Sequence, residues 1–266
     1  MDTDNETSQR ILIVDDDEVM RELLSALLDV HGYEVMIADS GERALAMLAD
    51  TNPPELILTD LQMPGLEGEA LTTALRDAAP EHAMLLGMSG ARPSPGTLRS
   101  LDTFLSKPFS VTQLQEAIQG ARSARDRENL VKTTENPSPA APLQATASES
   151  AESIFVPDEN ILDATIFAAL SKSFRAEQLR ELYTLTLDDV LQRHQRMLQH
   201  AASGDLAAVQ REAHSVKGSC GFVGARELQI LASAVEGGTT LNTAALAYFP
   251  EAVERLRRML NAKLPQ

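Results

Sequence analysis

Four strand-like runs in this chain each end on a side chain that could handle a phosphoryl group. Ile11-Leu12-Ile13-Val14 leads into Asp15, Asp16 and Asp17, and Leu56-Ile57-Leu58-Thr59 leads into Asp60, with Met63-Pro64-Gly65 close behind. Met84-Leu85-Leu86-Gly87-Met88 ends at Ser89, and Thr103-Phe104-Leu105-Ser106 ends at Lys107-Pro108. Unbroken aliphatic runs of this length read as strands buried on both faces, as in a parallel sheet. Parallel strands gather their C-terminal ends at one edge, where such folds place ligands. Crowded carboxylates repel, so a cation must neutralise them or some must stay protonated. Oxygen ligands in small number suit Mg²⁺, while a lysine and a hydroxyl supply charge and a hydrogen bond for a phosphoryl group on Asp60. Phosphoryl transfer asks mainly for positioning and neutralisation, so this set needs no general acid or base. A single aspartate after a strand is equally at home in a turn; four ordered strand ends favour the ligand-bearing edge.

A second candidate lies far downstream, in Ala213-His214-Ser215-Val216-Lys217-Gly218-Ser219-Cys220. On a helix, Leu206, Val209, Ala213, Val216 and Cys220 form one apolar stripe. His214 falls off it, sharing a side with Lys217 and Gly218 one turn on. A cation and a missing side chain beside the imidazole leave room for another protein to reach the ring. A surface histidine on an amphipathic helix fits the same facts.

The elements that must position these groups alternate. Helices are expected at 19–30, closed by His31-Gly32, from a cap at Asp39 or Ser40 to about 49, at 68–78 and at 111–121, with a strand at 33–37. That alternation implies a doubly wound α/β parallel sheet. Between 129 and 153 the composition turns to Pro, Ser, Thr, Ala and Glu, which reads as a flexible linker. From 161 to 260 helical periodicity is broken only at Gly204, Gly237-Gly238 and Pro250, giving five helices with four in a bundle. Gly204 suits a helix C-terminus and Asp205 the next N-cap.

Residues 10–122 resemble the receiver domain of two-component response regulators, through Ile-Val-Asp-Asp-Asp, Asp60-Leu-Gln-Met-Pro-Gly, Met-Ser89-Gly and Ser-Lys107-Pro-Phe. The resemblance implies a flavodoxin-like fold with Asp60 as phosphoacceptor. It further implies that Mg²⁺ is held by Asp15, Asp16, Asp60 and the Gln62 backbone carbonyl, that Ser89 is the switch hydroxyl, and that Lys107 is the phosphate-pairing cation. Phe104 takes the place of the family's reporting aromatic. Residues 155–263 resemble histidine-containing phosphotransfer (HPt) domains, through Ala213-His214-Ser215-Val216-Lys217-Gly218-Ser219 and Phe222-Val223-Gly224-Ala225-Arg226-Glu227-Leu228. This implies that His214 is phosphorylated, that Lys217 stabilises its phosphoryl charge and that Gly218 clears space for a docking receiver. The chain departs from many receivers between Ser89 and Lys107, being about a helical turn shorter and carrying Arg92-Pro93-Ser94-Pro95-Gly96. The fourth helix is therefore expected only at 97–101, and that face is not expected to dimerise or signal in the ordinary way.

The domains are expected as a disordered N-terminus at 1–9, a receiver at 10–125, a flexible linker at 126–155 and an HPt helical bundle at 156–266. A chain of 266 residues suits two such domains. The implied function is a bacterial phosphorelay intermediate: an upstream sensor histidine kinase loads Asp60, and the phosphoryl group passes to His214 and on to a downstream receiver, or back as a sink. No nucleotide-binding domain is recognisable, so histidine phosphotransfer is expected without ATP-dependent kinase activity. The alternative is a non-catalytic regulator, in which receiver phosphorylation gates binding at the HPt surface. About 25–30 linker residues reach roughly 30 Å and give effective concentrations on the order of millimolar, so transfer within one chain is in range, and transfer between chains is also open.

Composition narrows the setting. A formal net charge of −16 argues against nucleic-acid binding. The single Cys220 sits on the apolar stripe, which excludes an internal disulfide and fits a packed thiol in a reducing cytoplasm. Residues 1–9 lack the apolar run of a signal peptide, and no apolar stretch is long enough for membrane insertion. His31 stands at a helix end before a glycine, His82 lies in a loop near Pro80, and His194 and His200 are six residues apart on a helix, off the spacing that would pair them for metal, so no chemical role is expected of any of them.

Overall fold

The protein was analysed as a computed structural model that describes residues 9–49, 52–90, 92–107, 109–131 and 161–264, with backbone alone for 126–131. In the N-terminal unit, strands β1 (Arg10–Val14), β2 (Glu34–Ala38), β3 (Leu56–Asp60), β4 (Met84–Ser89) and β5 (Thr103–Ser106) form one sheet. They pair in the order β2-β1-β3-β4-β5, each pair parallel. Helices α1 (Glu18–Val30), α2 (Gly41–Leu48), α3 (Gly68–Ala78), α4 (Pro95–Arg99) and α5 (Val111–Val131) connect them. One face of the sheet packs on α1 and α5 through Ile11, Ile13, Leu56 and Leu58, and the other on α2 and α3 through Leu12, Val14, Ile57 and Leu85. This two-sided burial is why the strands carry unbroken aliphatic runs.

Register does the positioning. Val14 pairs with Thr59, so the next residues, Asp15 and Asp60, emerge side by side. Ser89 pairs with Ser106, which puts the following Lys107 beside it, and the Lys107 N–H donates to the Ser89 carbonyl at 2.7 Å.

The C-terminal unit consists of α6 (Ala164–Ser173), α7 (Ala176–Ser203), α8 (Leu206–Val223), α9 (Arg226–Glu236) and α10 (Thr243–Lys263). Helices α7 to α10 pack in a ring, each on the next and α10 back on α7, while α6 lies against α5, α7 and α8. Gly204 takes a positive φ of 76° to end α7, and the Asp205 carboxylate caps α8 by accepting from Ala208 N–H at 2.9 Å. Cys220 is fully buried, and burial pushes its thiol far above the ordinary range.

Three expected boundaries are corrected. Helix α4 spans Pro95–Arg99 rather than 97–101, because Pro95 occupies its first turn, where no N–H is needed, and Ser94 caps it. Helix α5 continues to Val131, past the expected linker start at 126, since Arg122-Ser-Ala-Arg-Asp-Arg-Glu offers helix formers and no breaker. The rest of that linker and the N-terminal segment, apart from Gln9, lie outside the described residues.

The third concerns Pro250, which does not interrupt α10 but lies inside it. A proline there cannot donate to the carbonyl four residues back, that of Leu246. His194 on α7 fills the gap: its Nε2 donates to the Leu246 carbonyl at 2.9 Å, and the ring stacks on Phe249. Burial lowers the His194 pKa from its ordinary 6.5, with the carbonyl bond opposing. The folded state therefore holds this ring neutral, so its contribution is complete above about 6.5 and declines as pH falls below that value. His194→Leu should cost about 1–3 kcal/mol by orphaning the carbonyl and should flatten the pH dependence. Urea midpoints of both proteins on either side of 6.5 check this; equal pH slopes would refute it.

Candidate functional site

Asp15, at the end of β1, is fully buried, and Asp60, at the end of β3, nearly so, while Asp16 faces solvent. One carboxylate oxygen from each converges within 4.8 Å of the others. Lys107 donates from Nζ to Asp60 Oδ2 at 2.7 Å and to Asp15 Oδ2 at 3.0 Å, with its side chain 10% exposed. Burial alone would lower the lysine pKa, but Asp15 and Asp60 outweigh it and hold the ammonium above its ordinary value. One cation does not balance the cluster. Burial, with the charge of Asp60 adding and Lys107 opposing, pushes Asp15 up to about 6. Asp16 is raised as well, by burial and then by Asp60. Convergent oxygens still short of positive charge are a donor set that fits a hard divalent ion such as Mg²⁺. Gln62 is tied in twice: its N–H donates to Asp60 Oδ1 at 2.9 Å, and its Oε1 accepts from the Ser89 hydroxyl at 3.0 Å.

His214 lies on α8 with its side chain 37% exposed. Its Nδ1 is 2.6 Å from Glu236 Oε1, and Lys217 Nζ donates to the other carboxylate oxygen at 2.9 Å. The hydrogen bond from His214 leads in lowering Glu236 from 4.5 to about 2; burial opposes and Lys217 assists. A carboxylate only accepts, so Nδ1 must carry the proton. That leaves Nε2 free to hold a lone pair.

The two clusters meet. A cavity of about 630 Å³ is lined by Asp16, Asp60 and Lys107 from one unit and by His214, Gly218 and Glu236 from the other. That is ample for a phosphoryl group with attendant waters. Around it the units share an apolar seam in which Phe109 meets Phe222 edge-on, ring centroids 6.0 Å apart. At Gly90 a Cβ would lie 2.6 Å from His214 Cε1, so only glycine allows the ring this close. At Gly218, by contrast, an added Cβ meets nothing within 4 Å; the space there belongs to the cavity.

All the expected site residues, Asp15, Asp16, Asp60, Gln62, Ser89, Lys107, His214 and Lys217, thus fall in or beside one region. Sequence reasoning missed Glu236 and Gly90. Glu236 left a signal, because an acid on the last residue of a helix opposes the helix dipole and calls for a cationic partner.

Comparison with known families fits this arrangement. Residues 11–119 match the model described as response regulator receiver domain, and residues 181–263 match that of the Hpt domain. The chain is a receiver–Hpt fusion. It is similar to transcriptional regulatory protein AruR of Pseudomonas aeruginosa, 48% identical over 71 residues, which are 25% of this chain and 29% of that protein. It is also similar to transcriptional regulatory protein CpxR of Klebsiella pneumoniae, 33% identical over 138 residues, 51% of this chain and 59% of that protein. The chain therefore spans less than two thirds of the length of each of these two relatives. Among solved structures, response regulator TrrA of Thermotoga maritima in complex with Mg²⁺-BeF is 29% identical, covering 42% of this chain and 98% of that one, with a TM-score of 0.39. The receiver and Hpt domains together support a two-component phosphorelay protein. Among the described residues of this receiver–Hpt fusion, no helix is long and apolar enough to cross a membrane.

Proposed function

We propose that this receiver–Hpt fusion is a phosphorelay intermediate that accepts a phosphoryl group on Asp60 and exchanges it with His214. The observation that carries the reading is the single cavity lined by both side chains. In the forward step the His214 Nε2 lone pair attacks the phosphorus of the Asp60 acyl phosphate. The N–P bond forms as the P–O bond to the aspartate oxygen breaks, and Asp60 leaves as a carboxylate. No proton moves, because Nδ1 keeps its hydrogen and the imidazolium formed is matched by Glu236 at 2.6 Å. The reverse step is attack by an Asp60 oxygen on the phosphohistidine, returning the electron pair to Nε2.

Lys107 supplies charge beside Asp60, Ser89 a hydrogen bond to a phosphoryl oxygen, and Lys217 charge beside His214. Asp15, Asp16, Asp60 and the Gln62 backbone carbonyl would hold Mg²⁺, which when bound would neutralise phosphoryl oxygens. An upstream sensor histidine kinase and a downstream receiver, in the cytoplasm, complete the proposal.

The test loads wild type, Asp60→Asn and His214→Gln with labelled acyl phosphate. Phosphoaspartate is lost in base, whereas phosphohistidine survives base and is lost in acid. Relay predicts a base-stable label in wild type that is absent from both variants. A base-stable label persisting in Asp60→Asn, or label confined to Asp60 in wild type, overturns it; the latter outcome would favour a regulator that only gates binding.

A further inference from the structure

Arg193 of α7 stands where the two domains meet, with its side chain 13% exposed. Its own domain already holds it: Nε donates to Asp189 at 2.7 Å, one turn before, and Nη1 to Glu212 of α8 at 3.2 Å. The remaining arm, Nη2, crosses to Asp17 Oδ2 of the receiver at 2.9 Å, where the acid is 11% exposed. Asp17 is fixed as well, because its Oδ1 caps α1 by accepting from Met20 N–H at 3.2 Å. One oxygen thus starts a helix and the other takes the guanidinium. Both groups are pre-oriented before they meet, so little side-chain entropy opposes the pair. Charge agrees with this fit. The receiver edge presents Asp15, Asp16, Asp17 and Asp60 around Lys107, and the Hpt face turned to it carries Arg193 and Arg211 beside Glu236, in a chain whose net charge is −16. Gly90 completes the match by admitting the His214 ring.

We infer that Arg193 and Asp17 form a latch that docks the Hpt domain on the receiver of its own chain. Arg193 is then a specificity-determining residue, selecting a receiver with a carboxylate at the N-cap of α1. A free receiver gains His214 only when the latch opens, and does so best with an acid at the same position. The inference builds on the proposed exchange between Asp60 and His214 for one readout and stands apart from it for the other.

The test compares full-length wild type, Asp17→Asn, Arg193→Gln and the double variant. Asparagine keeps the capping oxygen and replaces the oxygen that Arg193 meets with an NH₂ group, so both the charge and the acceptor facing the guanidinium are lost. The first readout is the rate at which label on Asp60 becomes base-stable, normalised to the Asp60 label and followed over about a hundredfold range of protein concentration. The latch predicts a concentration-independent wild-type rate, roughly 10- to 100-fold slowing in either single variant, and no further loss in the double. The second readout is the radius of gyration from small-angle scattering, which should rise in all three variants. If no label reaches His214 but both single variants expand the molecule, the exchange fails and the latch stands. If transfer proceeds with a concentration-dependent rate in wild type and with unchanged dimensions in Asp17→Asn, the latch is overturned. Slowing in Arg193→Gln without any in Asp17→Asn also overturns it, since Arg193 would then act only inside its own domain.

Discussion

Glu236→Ala is expected to slow phosphoryl exchange about a hundredfold, a cost on the scale of losing the alignment of a reacting group. In the proposed exchange the carboxylate does two things for His214: it keeps the proton on Nδ1, and it would offset the imidazolium charge that phosphorylation creates. Without it, the ring is free to rotate and to place its proton on Nε2, the atom that must attack. Glu236→Gln should fall between, roughly tenfold slower, because the amide oxygen still accepts from Nδ1 while its NH₂ then faces Lys217 instead of pairing with it. A role in positioning is separable from a role in folding by ¹⁵N spectra of His214. The Nδ1–H tautomer should dominate in wild type and in Glu236→Gln, and give way to a mixture in Glu236→Ala. Unchanged spectra together with an unchanged rate in Glu236→Ala would sink the assignment. With Glu236 lowered from 4.5 to about 2, its contribution to stability is complete above 4.5 and is lost only as pH falls toward 2, so the histidine stays oriented in mild acid.

Lys107→Met should destabilise the receiver by about 3–5 kcal/mol, since breaking a buried ion pair leaves its partner charge uncompensated. Here two acids, Asp15 and Asp60, lose the one ammonium they share. Methionine preserves most of the apolar stem, which limits the loss from packing. Adding Asp15→Asn to Lys107→Met should recover part of the stability by removing one of the stranded charges. Urea unfolding of the three proteins measures this, and a loss below about 1 kcal/mol in the single variant would show that the acids do not depend on the lysine. The same variant should fail to retain label on Asp60, having lost the cation 2.7 Å from its carboxylate.

Much of this site could be read from residue order. Asp15, Asp60, Ser89 and Lys107 each end an apolar run, and a parallel sheet can only bring such ends to one edge. His214 stood out because it left the buried stripe of its helix. Other parts depend on approach in three dimensions. Glu236 sits on the next helix, and no short motif joins it to His214. Gly90 reads as one more turn glycine until the imidazole is seen against it. Arg193 looks like an ordinary helix charge, since its meeting with Asp17 follows from docking, which local periodicity does not encode. Pro250 misled for a related reason: the rule that proline breaks helices holds only where nothing else satisfies the freed carbonyl, and His194 does so here.

The shared seam of Phe109 and Phe222 joins the domain that holds Asp60 to the domain that holds His214. Signalling steps that need two molecules to collide weaken with the square of copy number when both become scarce. In the proposed exchange, the hop from Asp60 to His214 through the cavity beside this seam depends on one molecule only. Halving expression would then halve the rate of that first hop and no more, and the proportion of loaded molecules that complete it would stay the same in a cell holding few copies or many.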